Sequence, residues 1–98
     1  MEYEFHPDAE AEFLESVGYY ELRVQGLGDV FIAQVESVLS LICNEPALGV
    51  VVGGGGMRRV QVQRFPFSLI YRVGSAKLQV LAVSHHSRRP SYWVGRKL

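Results

Sequence analysis

A chain of 98 residues has the length of a single domain, and a hydrophobic content of 48% is typical of a globular protein rather than a disordered one. The single cysteine, Cys43, excludes an intramolecular disulfide framework and a multi-cysteine zinc site, and it fits a reducing compartment. The net charge is zero, but residues 1–49 hold all ten acidic residues and one basic residue (net −9), and residues 50–98 hold nine basic residues (net +9). This split predicts either a basic surface for an acidic partner or two halves that pair across the fold.

The first four residues carry two acids where a signal peptide would be basic, and no apolar segment follows them. No run reaches the about 18 apolar residues that a membrane span needs. We therefore expect one cytoplasmic domain over residues 1–98 and no membrane partner.

The first half of the chain predicts a short strand followed by two helices. Residues 3–5 alternate between apolar and polar, and Pro7 with the acids after it is typical of a helix start. Glycines at 26 and 28 separate this helix from a second one, which begins near Asp29 and ends before Pro46. The predicted apolar stripes are Phe13, Val17, Tyr20 and Val24 in the first helix, and Phe31, Val35, Val38 and Ile42 in the second. Two such helices form an αα-hairpin.

Residues 46–57 predict a loop that ends in four consecutive glycines. Glycine amides can cradle a phosphate, but no Gly-Lys-Ser/Thr follows, and a strand rather than a helix comes next. We interpret the run as a flexible connector.

The second half predicts three strands and an extended end. The strands cover residues 59–63, 67–73 and 78–83, with a bend at Pro66 and a hairpin loop at 74–76. Residues 78–83 are apolar on both faces, as in a central strand, and residues 90–93 predict a short extended segment. The order β-α-α-β-β-β predicts an α+β fold, in which the αα-hairpin packs on one face of a mainly antiparallel sheet.

Six arginines follow or flank these strands, and arginine suits phosphate and carboxylate ligands because of its planar, bidentate fork. They are Arg58, Arg59, Arg64, Arg72, Arg88 and Arg89. Aromatic residues lie between them and either stack on the bases of an RNA or belong to the core: Phe65, Tyr71, Tyr92 and Trp93. The arginines either form an unpaired basic patch or pair with the acids of the helices.

His85 and His86 are adjacent at the end of a strand, so we expect their rings to point to opposite faces and not to share a metal. Either one, beside arginines, is a candidate general acid or base for RNA cleavage, although a structural role is the simpler interpretation. No metal-ligand spacing and no Ser-His-Asp pattern stands out, and we expect no metal and no cofactor.

Three stretches, FHPDAEAEFLESVGYYE, RRVQVQRFPFSLIYRV and LAVSHHSRRPSYW, resemble the RelE/ParE superfamily of bacterial toxins from type II toxin–antitoxin systems. The resemblance spans nearly the whole chain and is closest to ParE-like members described as plasmid-stabilisation proteins. It implies two helices against an antiparallel sheet. It also implies a cognate antitoxin, whose acidic, amphipathic segment wraps the toxin, and higher-order toxin–antitoxin complexes.

The resemblance implies two different targets. RelE-like members cleave mRNA in the ribosomal A site without a metal, which would make the catalytic candidates Arg59, Arg64, Arg72, His85, His86 and Tyr92. ParE-like members inhibit DNA gyrase and are not nucleases. The sequence lacks a clear lysine or glutamate of the nuclease pattern, and its His-His-Ser-Arg-Arg-Pro ending is ParE-like.

We therefore predict a ParE-like toxin that is neutralised by an antitoxin and directed at DNA gyrase. The alternatives are a ribosome-dependent mRNA endonuclease, which would be an enzyme, and a small RNA-binding domain that is not a toxin. The residues assigned to target and antitoxin binding are Arg58, Arg59, Arg64, Arg72, Arg88, Arg89 and Trp93.

Overall fold

The structure, a computed structural model, describes residues 1–98 and has the predicted α+β architecture. Its elements are β1 (Tyr3–Phe5), α1 (Pro7–Arg23), α2 (Leu27–Asn44), β2 (Val50–Val51), β3 (Arg58–Gln61), β4 (Phe67–Val73) and β5 (Leu78–His85). The strands form one five-stranded sheet in the order β1-β5-β4-β3-β2. Only β1 and β5 are parallel, so the sheet is mainly antiparallel as predicted.

Local sequence explains both helix starts. Pro7 occupies the first turn of α1, where its missing N–H costs nothing, and the His6 imidazole accepts a hydrogen bond from the Asp8 amide at 3.0 Å. Gly26 adopts φ 86° ahead of α2, a conformation that favours glycine. The Glu21 carboxylate accepts hydrogen bonds from the Gly26 and Gly28 amides at 2.9 and 3.0 Å, so α1 supplies the cap of α2. The second helix therefore begins two residues earlier than predicted.

The two helices share one apolar core with the sheet face that they cover. All four predicted stripe residues of α2 are buried there, and Phe13, Val17 and Tyr20 of α1 pack against the same cluster. Val24 is 60% exposed, because α1 ends before it. The sheet contributes mainly Leu69, Tyr71, Leu78 and Val80, which are fully buried. Each such side chain contributes about 1.5–3 kcal/mol by leaving water.

A β-bulge in β5 builds a second, smaller apolar cluster on the opposite face of the sheet. Ile70 pairs with Ala82 but Tyr71 pairs with Val80, so Leu81 is an extra residue in β5. As a result Leu81 and Ala82 both pack with Ile70 on the face away from the helices, and Tyr92 and Trp93 cover them. The chain from Pro90 to Trp93 makes consecutive turns, with Ser91 at φ 63°, and the predicted extended segment is wrong.

The glycine-rich segment is a tight hairpin connection rather than a free loop. It joins β2, a strand that the sequence did not predict, to β3, and the Val52 amide donates to the Met57 carbonyl at 2.9 Å. Gly53, Gly55 and Gly56 all have positive φ values, between 64° and 74°, which residues with a Cβ rarely adopt.

Helix α2 is long and apolar enough to cross a membrane by length and composition alone, with a mean hydropathy of 1.3. Core helices pass the same test, and the buried residues of α2 lie in the core described above.

Candidate functional site

The face of the sheet away from the helices carries a polar cleft of about 340 Å³ between β3, the ends of β4 and β5, and the chain that follows β5. Its lining residues are Arg59, Gln61, Ser68, Ile70, Ser84, His85, His86, Arg88, Pro90 and Trp93. Two arginines, His86 and two serine hydroxyls offer side-chain donors to this cleft, and no carboxylate lines it. The His85 ring instead packs on Phe67, which belongs to the core on the helix side. This set of donors without an acid suits an oxyanion, either a carboxylate or a phosphate.

Strand pairing explains why these residues meet. Arg59 lies opposite Ile70, which lies opposite Ala82, and Gln61 lies opposite Ser68, which lies opposite Ser84. Cross-strand partners project to the same face, so these two rows form the floor of the cleft. Arg88, Pro90 and Trp93 come from the segment after β5 and form its wall.

The structure brings together only part of the predicted site. Arg59, His85, His86, Arg88 and Trp93 line the cleft, whereas the remaining predicted residues do not: Arg58, Arg64, Arg72, Arg89 and Tyr92.

Each arginine outside the cleft has a different environment. Arg58 donates from one guanidinium nitrogen to the Ala47 and Gly49 carbonyls at 3.2 and 2.7 Å, which ties down the chain after α2. Arg72 donates to the Gln79 side chain at 2.8 Å. Arg64 lies in the β3–β4 turn at φ 71°, and Arg64 and Arg89 are exposed. The basic half of the protein is therefore spread over the sheet and its turns.

The predicted arginines are mostly not neutralised by the acids of the helices. Among the six, only Arg88 has a carboxylate within the 4.0 Å limit of an ion pair, the Glu12 carboxylate at 3.9 Å. The interpretation in which the two halves of the chain pair across the fold is wrong for the other five.

The two histidines diverge, as their alternation along the chain predicts. The His85 ring packs edge-on against Phe67 with centroids 4.9 Å apart, and its Nδ1 accepts the Ser87 amide at 3.0 Å and contacts the Ser87 hydroxyl at 2.7 Å. The His86 Nε2 lies 3.1 Å from the Ser68 hydroxyl on the cleft floor. Only His86 therefore has a ring nitrogen bonded to a group of the cleft floor.

The ring of Tyr92 is packed between two guanidinium groups, those of Arg88 at 3.9 Å and Arg96 at 5.1 Å from its centroid. Its hydroxyl is buried without a hydrogen bond of good geometry. Burial raises the pKa of Tyr92 above the ordinary value of 10.0; Glu12 adds to this, and Ser84 and Arg88 oppose it. This geometry does not favour Tyr92 as an acid or base that contacts a substrate.

Two of the four aromatic residues proposed to stack on bases are buried in the core and are not available for stacking. Phe65 is 8% exposed and Tyr71 is fully buried, and both belong to the helix-side core. Tyr92 and Trp93 contact each other at 5.5 Å between ring centroids and pack on the smaller cluster. Only Trp93 of the four lines the cleft, so the structure offers no series of aromatic rings on which successive bases could stack.

Sequence reasoning missed an ion pair between α1 and the C-terminal end of the chain. The Arg96 guanidinium contacts both oxygens of the Glu12 carboxylate, at 3.1 and 3.0 Å, and both side chains are about one-seventh exposed or less. Burial alone would lower the pKa of Arg96, but Glu12, with help from Tyr92 and Asp8, raises it above its ordinary value. Glu12 lies next to the stripe residue Phe13 and three residues after the buried Ala9. This position in α1 was the one sequence signal that the Glu12 carboxylate lies near the core.

Fold and cleft together define a class: a small α+β protein with two helices on one face of its sheet and a basic, carboxylate-free cleft on the other. A family profile described as "ParE toxin of type II toxin-antitoxin system, parDE" matches residues 3–90. The chain belongs to this family, which confirms the resemblance to RelE/ParE toxins and its ParE-like assignment.

A solved structure described as "Chromosomal ParDE TA system from P. aeruginosa" has the same fold. The TM-score is 0.63 at 20% sequence identity, and the match covers 87% of this chain and 95% of that chain. At this identity the likeness concerns the fold alone. Comparison with curated protein sequences gives no match.

Proposed function

We propose that this chain is a toxin that inhibits DNA gyrase by direct protein contact in the cytoplasm, and that a cognate antitoxin neutralises it. Membership in the ParE toxin family supports this proposal. The observation that carries it is the set of five arginines, Arg58, Arg59, Arg64, Arg72 and Arg89, that have no carboxylate partner in the fold.

The chemistry of this surface suits an acidic protein partner. A positive surface attracts a negative segment, speeds the encounter and disfavours basic partners. Within the cleft, Arg59 lies on the floor and Arg88 on the wall, so one carboxylate could approach both. We therefore assign the antitoxin an acidic segment that covers this face, with Trp93 at its border.

The test of the target is a supercoiling assay with purified gyrase. Wild-type toxin should inhibit supercoiling, and prior incubation with the antitoxin should restore it. Arg59→Glu should lose inhibition, whereas Lys77→Glu, the same charge change in the exposed β4–β5 loop, should retain it. Unchanged supercoiling and unchanged growth at an excess of wild-type toxin would exclude gyrase as the target.

A second candidate is a ribosome-dependent mRNA endonuclease, favoured by the convergence of Arg59, Arg88 and His86 on one cleft. Cleavage of a phosphodiester uses cations that stabilise the charged transition state and a group that transfers a proton. This candidate predicts cut mRNA in a translating extract and its loss in His86→Ala combined with Arg59→Ala. His85→Ala combined with Arg59→Ala tests the other histidine. An extract without cleavage products at toxin excess would eliminate the nuclease.

A further inference from the structure

Beyond the end of β1, side chains supply the hydrogen-bond partners of the β5 backbone. The parallel strand β1 pairs with Leu78–Val80, and the His6 amide then donates to the Val80 carbonyl at 2.8 Å. Beyond this point the Leu81 carbonyl accepts from Arg96 at 2.9 Å, and the Val83 amide donates to Glu12 at 3.0 Å. Glu12 and Arg96 thus satisfy the backbone groups that a longer β1 would have paired.

The ion pair also ties the end of the chain to the rest of the protein, beside the packing of Tyr92 and Trp93 on the smaller cluster. We define the C-terminal tail as residues 89–98. Its backbone hydrogen bonds are internal: the Val94 amide donates to the Ser91 carbonyl, and the Arg96 amide to the Trp93 carbonyl. All hydrogen bonds between the tail and α1 or β5 are made by the Arg96 side chain.

The tail matters because it forms the wall of the cleft. Pro90 and Trp93 line the cleft directly. Tyr92 supports Arg88, whose guanidinium lies 3.9 Å from the Tyr92 ring centroid, while Arg96 lies on the same ring at 5.1 Å. We therefore expect the position of Arg96 to determine the position of Tyr92. Tyr92 in turn holds Arg88 and Trp93 across the cleft from Arg59. The family match ends at residue 90 and does not include Trp93 or Arg96.

We propose that Glu12 and Arg96 are positioning residues: their ion pair latches the C-terminal tail onto α1 and β5 and so assembles the wall of the basic cleft. Breaking the latch frees the tail, separates Arg88 and Trp93 from Arg59, and uncovers the apolar cluster of Ile70, Leu81 and Ala82. The consequence for toxicity rests on the proposed function, since it requires the cleft to bind the target.

Trp93 is the only tryptophan, so its fluorescence reports on the tail alone. In Arg96→Gln we expect a red shift of Trp93 emission, an at least twofold larger quenching constant with acrylamide, and at least tenfold faster hydrogen exchange of the Val83 amide. Lys97→Gln removes the same charge from the neighbouring, exposed residue and should leave all three unchanged. Arg96→Lys keeps the charge without the bidentate fork and should give intermediate values.

Removing one partner of a buried ion pair leaves an isolated charge, so the experiment includes the neutral double variant Glu12→Gln/Arg96→Gln beside Arg96→Gln. This double variant keeps an acceptor for the Val83 amide and should fold, yet still show the released tail. Wild-type Trp93 emission and wild-type acrylamide quenching in the folded variants would overturn the latch.

A functional experiment compares wild type, Arg96→Gln and Lys97→Gln as inhibitors of gyrase supercoiling. Folded Arg96→Gln should need at least tenfold more protein than wild type or Lys97→Gln for equal inhibition. Equal potency of the three would overturn the link between the latch and the target surface. If wild-type protein leaves gyrase untouched, the proposed target fails, and the fluorescence measurements still decide the latch.

Discussion

The Tyr71 hydroxyl accepts a hydrogen bond from the Gly49 amide at 2.9 Å, and the same hydroxyl donates to the Pro46 carbonyl at 2.8 Å. The fully buried ring thus carries a polar tip that bridges two backbone groups of the chain between α2 and β2. Gly49 fits beside it because a Cβ there would come within 2.7 Å of that hydroxyl. A side chain of the central sheet therefore fixes the path along which the helical hairpin returns to the sheet edge.

Replacing Tyr71 by phenylalanine should lower the free energy of unfolding by about 1–3 kcal/mol, because the buried Gly49 amide loses its acceptor. Urea unfolding followed by circular dichroism measures this change. Tyr19→Phe removes a hydroxyl from a half-exposed ring and should stay within about 0.5 kcal/mol of wild type. Equal stability of the two variants would show that the bridge contributes nothing.

Replacing two helical glycines by alanine should change the stability of the protein in opposite directions. Gly28→Ala places a Cβ 2.9 Å from the Val17 carbonyl of α1, so the helices must move apart, at a cost of about 1–3 kcal/mol. Gly18→Ala meets nothing within 4 Å inside α1 and should stabilise the protein by roughly 0.5–1 kcal/mol. Thermal unfolding of both variants tests the pair. A destabilised Gly18→Ala would contradict the open space found around this residue.

Arg59 should contribute more to antitoxin binding than an equally charged residue outside the cleft. We expect Arg59→Ala to weaken the complex about tenfold, the equivalent of about 1.4 kcal/mol, and Lys77→Ala to change it little. Since the interaction is electrostatic, the difference should shrink in about 0.5 M salt. Calorimetric titration at two salt concentrations provides the measurement. An equal loss of affinity in both variants would mean that the antitoxin is attracted by the overall positive charge of residues 50–98 and not by the cleft.

Stability should fall above pH 10 in a way that depends on Tyr92. Burial raises the pKa of its hydroxyl above 10.0 in the folded state, so the folded protein retains a proton that the unfolded chain releases first. Its contribution is fully present below the unfolded pKa and is lost as the pH rises through the folded pKa. Tyr92→Phe should flatten this alkaline decline, measured by urea unfolding between pH 8 and roughly pH 11. Because burial also raises the pKa of Tyr20, part of the decline in unfolding free energy with pH should remain in Tyr92→Phe. Parallel curves for wild type and Tyr92→Phe would contradict the assignment.

Much of the fold was predictable because its elements are encoded locally. The α2 stripe recurs every three or four residues, and the helix buries all four of its members. Period-two alternation along β4 places Ile70 on one face of the sheet and Leu69 and Tyr71 on the other, and these residues belong to the two different apolar clusters. The motifs of the sheet and of its ending also carried the family resemblance that the profile match confirms.

The sequence by itself thus determined the α+β class, the order of most elements, the division into an acidic and a basic half, and the toxin family. Tertiary structure alone decided which arginines share a cleft, because that depends on strand register and on one extra residue, Leu81, in β5. It also decided the ion pair of Arg96, whose partner Glu12 lies 84 residues earlier in the chain. No local periodicity encodes such a contact, since it forms only when α1, the edge of β5 and the tail pack together and exclude water.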